Sequence, residues 1–187
     1  MRTKKEIIVV DGFYHDPHAI RKDALKMEFG TTGNYPGMRT EPVTQGGVLE
    51  HLEMIMGITI NRSLWNGGEY TGTYQYVTEG TPTWVHADRH NDWSCVVYLH
   101  PDPEPNSGTS FYKHIQTGSR MYSDNDGEFV EGDGDRWDKW LKTDTVGNVF
   151  NRAIIFKGEL WHAADEYFGK TKNDGRLFQT FFFTEVQ

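Results

Sequence analysis

The sequence predicts a mainly β fold with flanking helices, its core a double-stranded β-helix of the jelly-roll or cupin-like kind. Three observations lead there. Aromatic residues make up 14% of the chain, with 6 Trp, 9 Tyr and 11 Phe, and they suit pleated sheets and an aromatic-lined pocket better than a helical bundle. Short strand-like runs with period 2 follow one another from residue 70 onward, separated by turn residues. Helical periodicity is confined to the first sixty residues, so helices buttress the barrel rather than build it.

Taken in order, residues 6–10 read as a strand. Asp16-Pro17 then supplies an N-cap and a proline at the first helical position, and Ile20, Ala24 and Met27 form the apolar face of that helix. A second helix is expected over 46–56, where Val48, Leu52 and Ile55 repeat at i, i+4 and i+7. Strands are expected over 70–77, 83–88, 93–100, 109–113, 153–156 and 176–184. Between them, residues 123–135 are rich in Asp, Gly and Glu and read as a surface loop before a short 137–141 segment. The acidity of that loop suggests calcium, but the EF-hand register fails, because counting back from Asp126-Gly127 puts Tyr122 in the first ligand position.

The expected organisation is a single domain over 1–187: a helical buttress over about 1–60, a jelly-roll core over about 68–187, and the acidic loop 123–135 within it. At 187 residues the chain can bury a core without disulfides or a structural metal. Lys plus Arg is 19 and Asp plus Glu is 27, a net charge of −8 without a basic block, which argues against nucleic acid as the main ligand. The single cysteine, Cys95, lies in an apolar run. It leaves no disulfide framework and no thiolate cluster, and suits a reducing, cytoplasmic compartment. The start of the chain is basic over Met1 to Lys5, yet its apolar stretch covers only residues 7–10, which is neither a signal peptide nor a membrane span.

The chemistry-bearing residues begin with Thr83-Trp84-Val85-His86-Ala87-Asp88. On a strand, His86 and Asp88 project from the same face. His162 follows the apolar run Ile154-Ile155-Phe156 and the turn Lys157-Gly158. Two imidazoles and one carboxylate make a facial ligand set that leaves three positions of Fe(II) open. His90-Asn91-Asp92 has the same spacing and stands as a second candidate pair, in the polar stretch 89–92 that reads as a turn. Taken alone, His162 also fits a capping or core histidine beside Trp161. Arg176 opens the run Arg176-Leu177-Phe178-Gln179-Thr180-Phe181-Phe182-Phe183. An arginine there needs an anionic partner, and its planar fork matches a carboxylate; a salt bridge to an acidic side chain at the barrel rim is the alternative.

This order resembles the 2-oxoglutarate/Fe(II)-dependent dioxygenases, in particular their prolyl-4-hydroxylase-like branch, over most of the chain from Tyr70 to Phe183. Their signature is His-x-Asp, a distal His, and an Arg or Lys some ten to fourteen residues later. Tyr76 stands ten residues before His86, where the branch has a tyrosine, and Tyr98-Leu99 matches a second. Ser107-Gly108-Thr109-Ser110-Phe111 is similar to a Gly-Gly-Thr-x-Phe turn, with Ser107 in place of the first glycine. Val10-Asp11-Gly12-Phe13-Tyr14, Asp16-Pro17 and Tyr35-Pro36-Gly37-Met38-Arg39-Thr40 are similar to a subgroup of the same superfamily.

The resemblance implies that His86, Asp88 and His162 hold Fe(II), and that Tyr98 and Arg176 hold the distal carboxylate of 2-oxoglutarate, with Tyr76 lining the same pocket. It implies O2 as the oxidant, succinate and CO2 as products, and hydroxylation of a small molecule or of a prolyl or other amino-acid side chain in a peptide. Two other classes stay open on the residues. One is a zinc-dependent hydrolase on the same ligands, with Asp165 or Glu166 as base; the other is a non-catalytic cupin-like binding module. Arg39, Trp84, Arg89, Asn91 and Lys113 are expected to face the mouth of the site. Residues 124–135 are expected to form a lid that draws in cationic substrates.

Overall fold

Alternation along the strands of two antiparallel sheets decides what each face meets. The computed structural model describes residues 5–31, 33, 35–43, 46–67 and 70–186, so most of the basic start of the chain lies outside the described residues. The larger sheet has six strands in the order β1 (Ile7–Val10), β7 (Ala153–Lys157), β4 (Trp93–Tyr98), β9 (Arg176–Phe183), β3 (Tyr74–Val77) and β2 (Met38–Arg39). The smaller has three, in the order β6 (Trp140–Val146), β5 (Thr109–His114) and β8 (His162–Ala164).

In the larger sheet, Cys95 of β4 lies opposite both Ile155 and Phe181. Trp93, Cys95 and Val97 share a face with Leu177, Phe181 and Phe183 of β9, and that face is buried against the N-terminal helices. These are α1 (Pro17–Lys26), α2 (Val48–Met56) and α3 (Arg62–Gly67). The N-terminus of α1 is capped as its sequence requires, with Asp16 Oδ1 accepting the Ala19 amide at 3.0 Å and Pro17 next in line. The end of α2 is Gly57 at φ +70°, a left-handed position that costs glycine nothing. Leu52, fully buried on α2, contributes about 1.5–3 kcal/mol through the apolar area it removes from water. On the opposite face of the larger sheet, Tyr98, Phe156 and Phe178 meet Phe111 from the smaller one.

Most expected strands form, and two expectations are corrected. Residues 83–88 are extended but make no ladder; a single bridge joins His86 to His162. Two further amides find separate partners, Val85 on the Gly134 carbonyl at 2.9 Å and Asp88 on that of Gly158 at 2.7 Å, so these donors are met without a neighbouring strand. The acidic stretch 123–135 is not a free loop. It contains the short helix α4 (Gly127–Glu131), and Val130 is fully buried in a third cluster with Val85, Tyr112, Trp140, Trp161 and Ala163. Asp133 Oδ2 lies 3.2 Å from His114 Nε2, and its carbonyl accepts the Trp140 indole at 2.9 Å. Polar composition hid one buried valine. Strand β6 also escapes the alternation pattern, because Leu141 to Thr145 are exposed on an edge strand protected by charge.

Among the described residues no helix is long and apolar enough to cross a membrane.

Candidate active site

The segment 83–88 keeps strand alternation without strand pairing. Val85 and Ala87 point into the third cluster under α4, and His86 and Asp88 point the other way, to His162 at the start of β8. His86 N donates to His162 O and His162 N to His86 O, both at 2.9 Å. That pair of backbone bonds sets two imidazoles from distant parts of the chain side by side, ring centroids 4.3 Å apart.

His86 Nε2 lies 3.9 Å from Asp88 Oδ1, and His162 Nε2 lies 3.5 Å from Asp88 Oδ2. Ligand atoms of all three lie within 4.8 Å of one another, and no other trio of His, Cys, Asp or Glu among the described residues does so. Each imidazole is tied through its other nitrogen to a carbonyl two residues back, His86 Nδ1 to Trp84 O at 3.2 Å and His162 Nδ1 to Leu160 O at 2.8 Å. With the proton on Nδ1, the Nε2 lone pairs converge on Asp88, the arrangement that ligating histidines adopt. Burial, with His162 nearby, pushes His86 down to about 4, so its imidazole is neutral at physiological pH. The donor set and its spacing fit a divalent first-row metal with one face open.

Asp88 has a partner that the sequence pattern did not single out. Ser94 of β4 points to the inner face with Tyr98 and donates Oγ to Asp88 Oδ2 at 2.6 Å. The second His-x-Asp pair divides: His90 borders the cavity described below, whereas Asp92 Oδ2 accepts the Glu185 amide at 2.9 Å and joins no ligand group.

Arg176 and Tyr98 come together deep between the sheets. Arg176 is 2% exposed, its guanidinium 5.3 Å from the Tyr98 ring centroid. It donates Nε to Ser107 O at 2.8 Å and Nη2 to Gly108 O and Thr109 Oγ1, both at 3.3 Å. No acidic side chain among the described residues pairs with it, so the rim salt bridge is absent. Ser107, standing where the resemblance has glycine, fixes the turn by donating Oγ to Glu104 O at 2.7 Å and accepting Asn148 Nδ2 at 3.0 Å. Tyr76 is not brought to this site. It lies opposite Leu177 and Val77 opposite Arg176, so Tyr76 and Arg176 leave the sheet on opposite faces. Tyr76 packs instead on Phe29 among the helices, centroids 5.1 Å apart.

A cavity of about 590 Å³ lies against His86 and Asp88, walled by Tyr35, Arg39, Gln75, Trp84, Thr180 and Phe182. Of the residues expected at the mouth, Arg39, Trp84, Arg89 and Asn91 border it and Lys113 does not. Tyr35, Gln75, Thr180 and Phe182 were not foreseen. Gln75 and Thr180 are legible in hindsight, because they keep alternation with Val77 and Arg176. Tyr35 packs against His86, ring centroids 4.1 Å apart and the planes tilted by 32°. Asp165, a base in the hydrolase alternative, accepts Ser110 Oγ and Lys142 Nζ, each at 2.6 Å. Ser110 alternates with Phe111, which faces the barrel interior, so this carboxylate is engaged on the other side of the smaller sheet.

No protein-family model matches the chain, and no curated protein matches it. Solved structures do. HygX from Streptomyces hygroscopicus, solved with nickel and 2-oxoglutarate, superposes with a TM-score of 0.58 at 11% identity over 95% of this chain and 82% of that one. A Pseudomonas putida prolyl-4-hydroxylase gives 0.53 at 14% identity over 97% and 94%. The non-haem α-ketoglutarate-dependent carbocyclase SnoK from nogalamycin biosynthesis gives 0.54 at 12% identity over 96% and 80%. The chain has the fold of these proteins.

Proposed function

We propose that this chain is a non-haem Fe(II)- and 2-oxoglutarate-dependent oxygenase that hydroxylates a C–H bond of its substrate and releases succinate and CO2. The observation that carries this reading is the trio His86, Asp88 and His162, two imidazoles and one carboxylate whose ligand atoms lie within 4.8 Å of one another beside a cavity that His86 and Asp88 line, in a fold shared with enzymes of that cofactor pair. Bound Fe(II) supplies the activation of O2, coupled to oxidative decarboxylation of the cosubstrate.

The protein's own part is positioning. His86 and His162 present Nε2 because their Nδ1 protons are engaged. Asp88 adds negative charge and is oriented by Ser94. Arg176 and Tyr98 are the groups to hold the distal carboxylate of 2-oxoglutarate. Burial raises the Tyr98 phenol above its usual value, so it stays protonated and able to donate.

The substrate belongs to the cavity of about 590 Å³, a volume that takes a small molecule or one side chain of a peptide. The Pseudomonas putida neighbour is a prolyl-4-hydroxylase, and a prolyl or other amino-acid side chain is the peptide form of that reading. Free, buried Cys95 suits a reducing cytoplasm. Zinc hydrolysis is the weaker reading, since Asp165 is engaged with Lys142 and Ser110 and Arg176 is left without a task.

Anaerobic titration of the Fe(II)-loaded protein with 2-oxoglutarate tests the proposal without knowledge of the substrate. A visible charge-transfer band, lost in His162→Ala and weakened in Arg176→Ala, is the expected result. Tight zinc binding without any band would replace the oxygenase by the hydrolase or the binding module.

A further inference from the structure

Arg39 is the second buried arginine of the inner face, and its situation differs from that of Arg176. It is 6% exposed, on β2 opposite Gln75, and it borders the cavity that His86 and Asp88 also line. Nη2 donates to Tyr35 O at 2.8 Å. Nη1 is buried without a hydrogen-bond partner. No carboxylate among the described residues pairs with Arg39; the nearest compensation is the Tyr70 ring, 5.4 Å from the guanidinium carbon. The other arginine of the cavity, Arg89, is satisfied by Tyr122 Oη at 2.6 Å and Glu131 at 3.4 Å. A guanidinium taken out of water with one of its donors idle is costly in the empty protein. The cost is recovered when an anion enters, and the planar fork fits an oxyanion that can accept two hydrogen bonds.

Tyr35 links this cation to the reacting end of the cavity. Its carbonyl holds Arg39, and its ring packs against that of His86, centroids 4.1 Å apart. Arg39 therefore lines the same cavity as His86 and Asp88, together with the rings of Tyr35 and Trp84, themselves 4.7 Å apart.

We propose that the substrate of this cavity is an organic oxyanion, a carboxylate in the first place, anchored by Arg39 with its carbon body against Tyr35 and Trp84. The proposal rests on the oxygenase reading for what happens to that body, and names the substrate class for the same site. It reverses the expectation of cationic substrates drawn in by the acidic stretch.

The test uses the full chain loaded with Fe(II) and 2-oxoglutarate under anaerobic conditions. Thermal stability is followed against benzoate, phenylacetate and hexanoate, against their amides, and against phenyl phosphate. The expected result is a saturable rise in Tm with at least one acid, at a concentration at least tenfold below that needed for its amide. Arg39→Gln abolishes the difference, and Arg39→Lys, which keeps the charge without the fork, retains the preference for acid with weaker binding. Phenyl phosphate outcompeting the carboxylates would assign the anchored group as a phosphate. Acids binding no better than amides, or Arg39→Gln leaving the preference intact, overturns the proposal. So does a 2-oxoglutarate band weakened by Arg39→Gln, because Arg39 would then serve the cosubstrate. Should the wild-type band itself be missing while acids still bind through Arg39, the oxygenase reading fails and the anion site stands.

Discussion

Ser94 and Asp88 lie six residues apart in sequence, yet the serine donates its hydroxyl proton to the aspartate across the corner between the ligand segment and β4, at 2.6 Å. The bond holds the Asp88 carboxylate, through Oδ2, in a fixed orientation towards His86 and His162. Ser94→Ala removes it without altering the ligand set, so Fe(II) affinity is expected to fall by about ten- to a hundredfold, the usual effect of losing such an outer partner. Equilibrium metal titration checks this, with Asp88→Ala as the variant that binds no iron. An unchanged Fe(II) affinity in Ser94→Ala would show that the bond does not orient the ligand.

Acidity acts on the metal-free protein through His86. Burial is the main cause that holds this group at about 4, against roughly 6.5 in an unfolded chain. Between those values the unfolded state binds a proton that the folded state does not, so stability rises with pH across that window. The stability that His86 supports is complete above about pH 6.5, declines as pH falls towards about 4, and is constant below. Urea midpoints of apo protein between pH 7.5 and 4 are expected to drop more steeply for the wild type than for His86→Gln. Parallel curves would mean that the imidazole is not desolvated.

Arg176 and Tyr76 should separate cleanly in cosubstrate binding. Arg176→Ala is expected to weaken 2-oxoglutarate binding by about 1.5–3 kcal/mol, roughly ten- to a hundredfold, through loss of charge-assisted hydrogen bonds. Tyr76→Phe, on the helix side of the sheet, is expected to leave it unchanged. Band titrations on the two variants decide, and an effect of Tyr76→Phe as large as that of Arg176→Ala would contradict the register of β3 against β9.

The acidic stretch predicts a difference between charge and packing. Neutralising Asp124, Asp126 and Glu128 is expected to leave turnover unaltered, whereas Val130→Ala costs about 2 kcal/mol of stability by emptying part of a buried site. Thermal denaturation of both variants reads the contrast. A Val130→Ala protein as stable as wild type would return the stretch to solvent.

Much of the site was legible in residue order. His86, Asp88 and His162 could be picked out because alternation and spacing survive even where 83–88 has no strand partner. Arg176 stood out as a charge at the head of an apolar strand. What stayed hidden depends on which face a residue takes. Tyr76 occupies the right place in the sequence order, and the pairing of β3 with β9 turns it to the helices. Ser94 is one polar residue in a strand of apolar ones, and its role exists only once Asp88 folds beside it. The six-residue extended segment needed tertiary partners, Gly134 and Gly158, that no local pattern names. Val130 lost its signal among acidic neighbours, and β6 lost its own because its exposed side chains are an edge strand's protection.

The division of β9 by parity has a practical consequence for altering what the protein acts on. Leu177, Phe181 and Phe183 carry the hydrophobic core on one side, while Thr180 and Phe182, on the other, border only the cavity side of the sheet. A combinatorial library confined to Gln75, Thr180 and Phe182 would therefore reshape the cavity wall while the residues that hold the sheet to its helices, and those proposed to hold iron and cosubstrate, stay as they are. Selectivity is in this sense modular, written on every second residue of a strand whose intervening residues keep the domain folded.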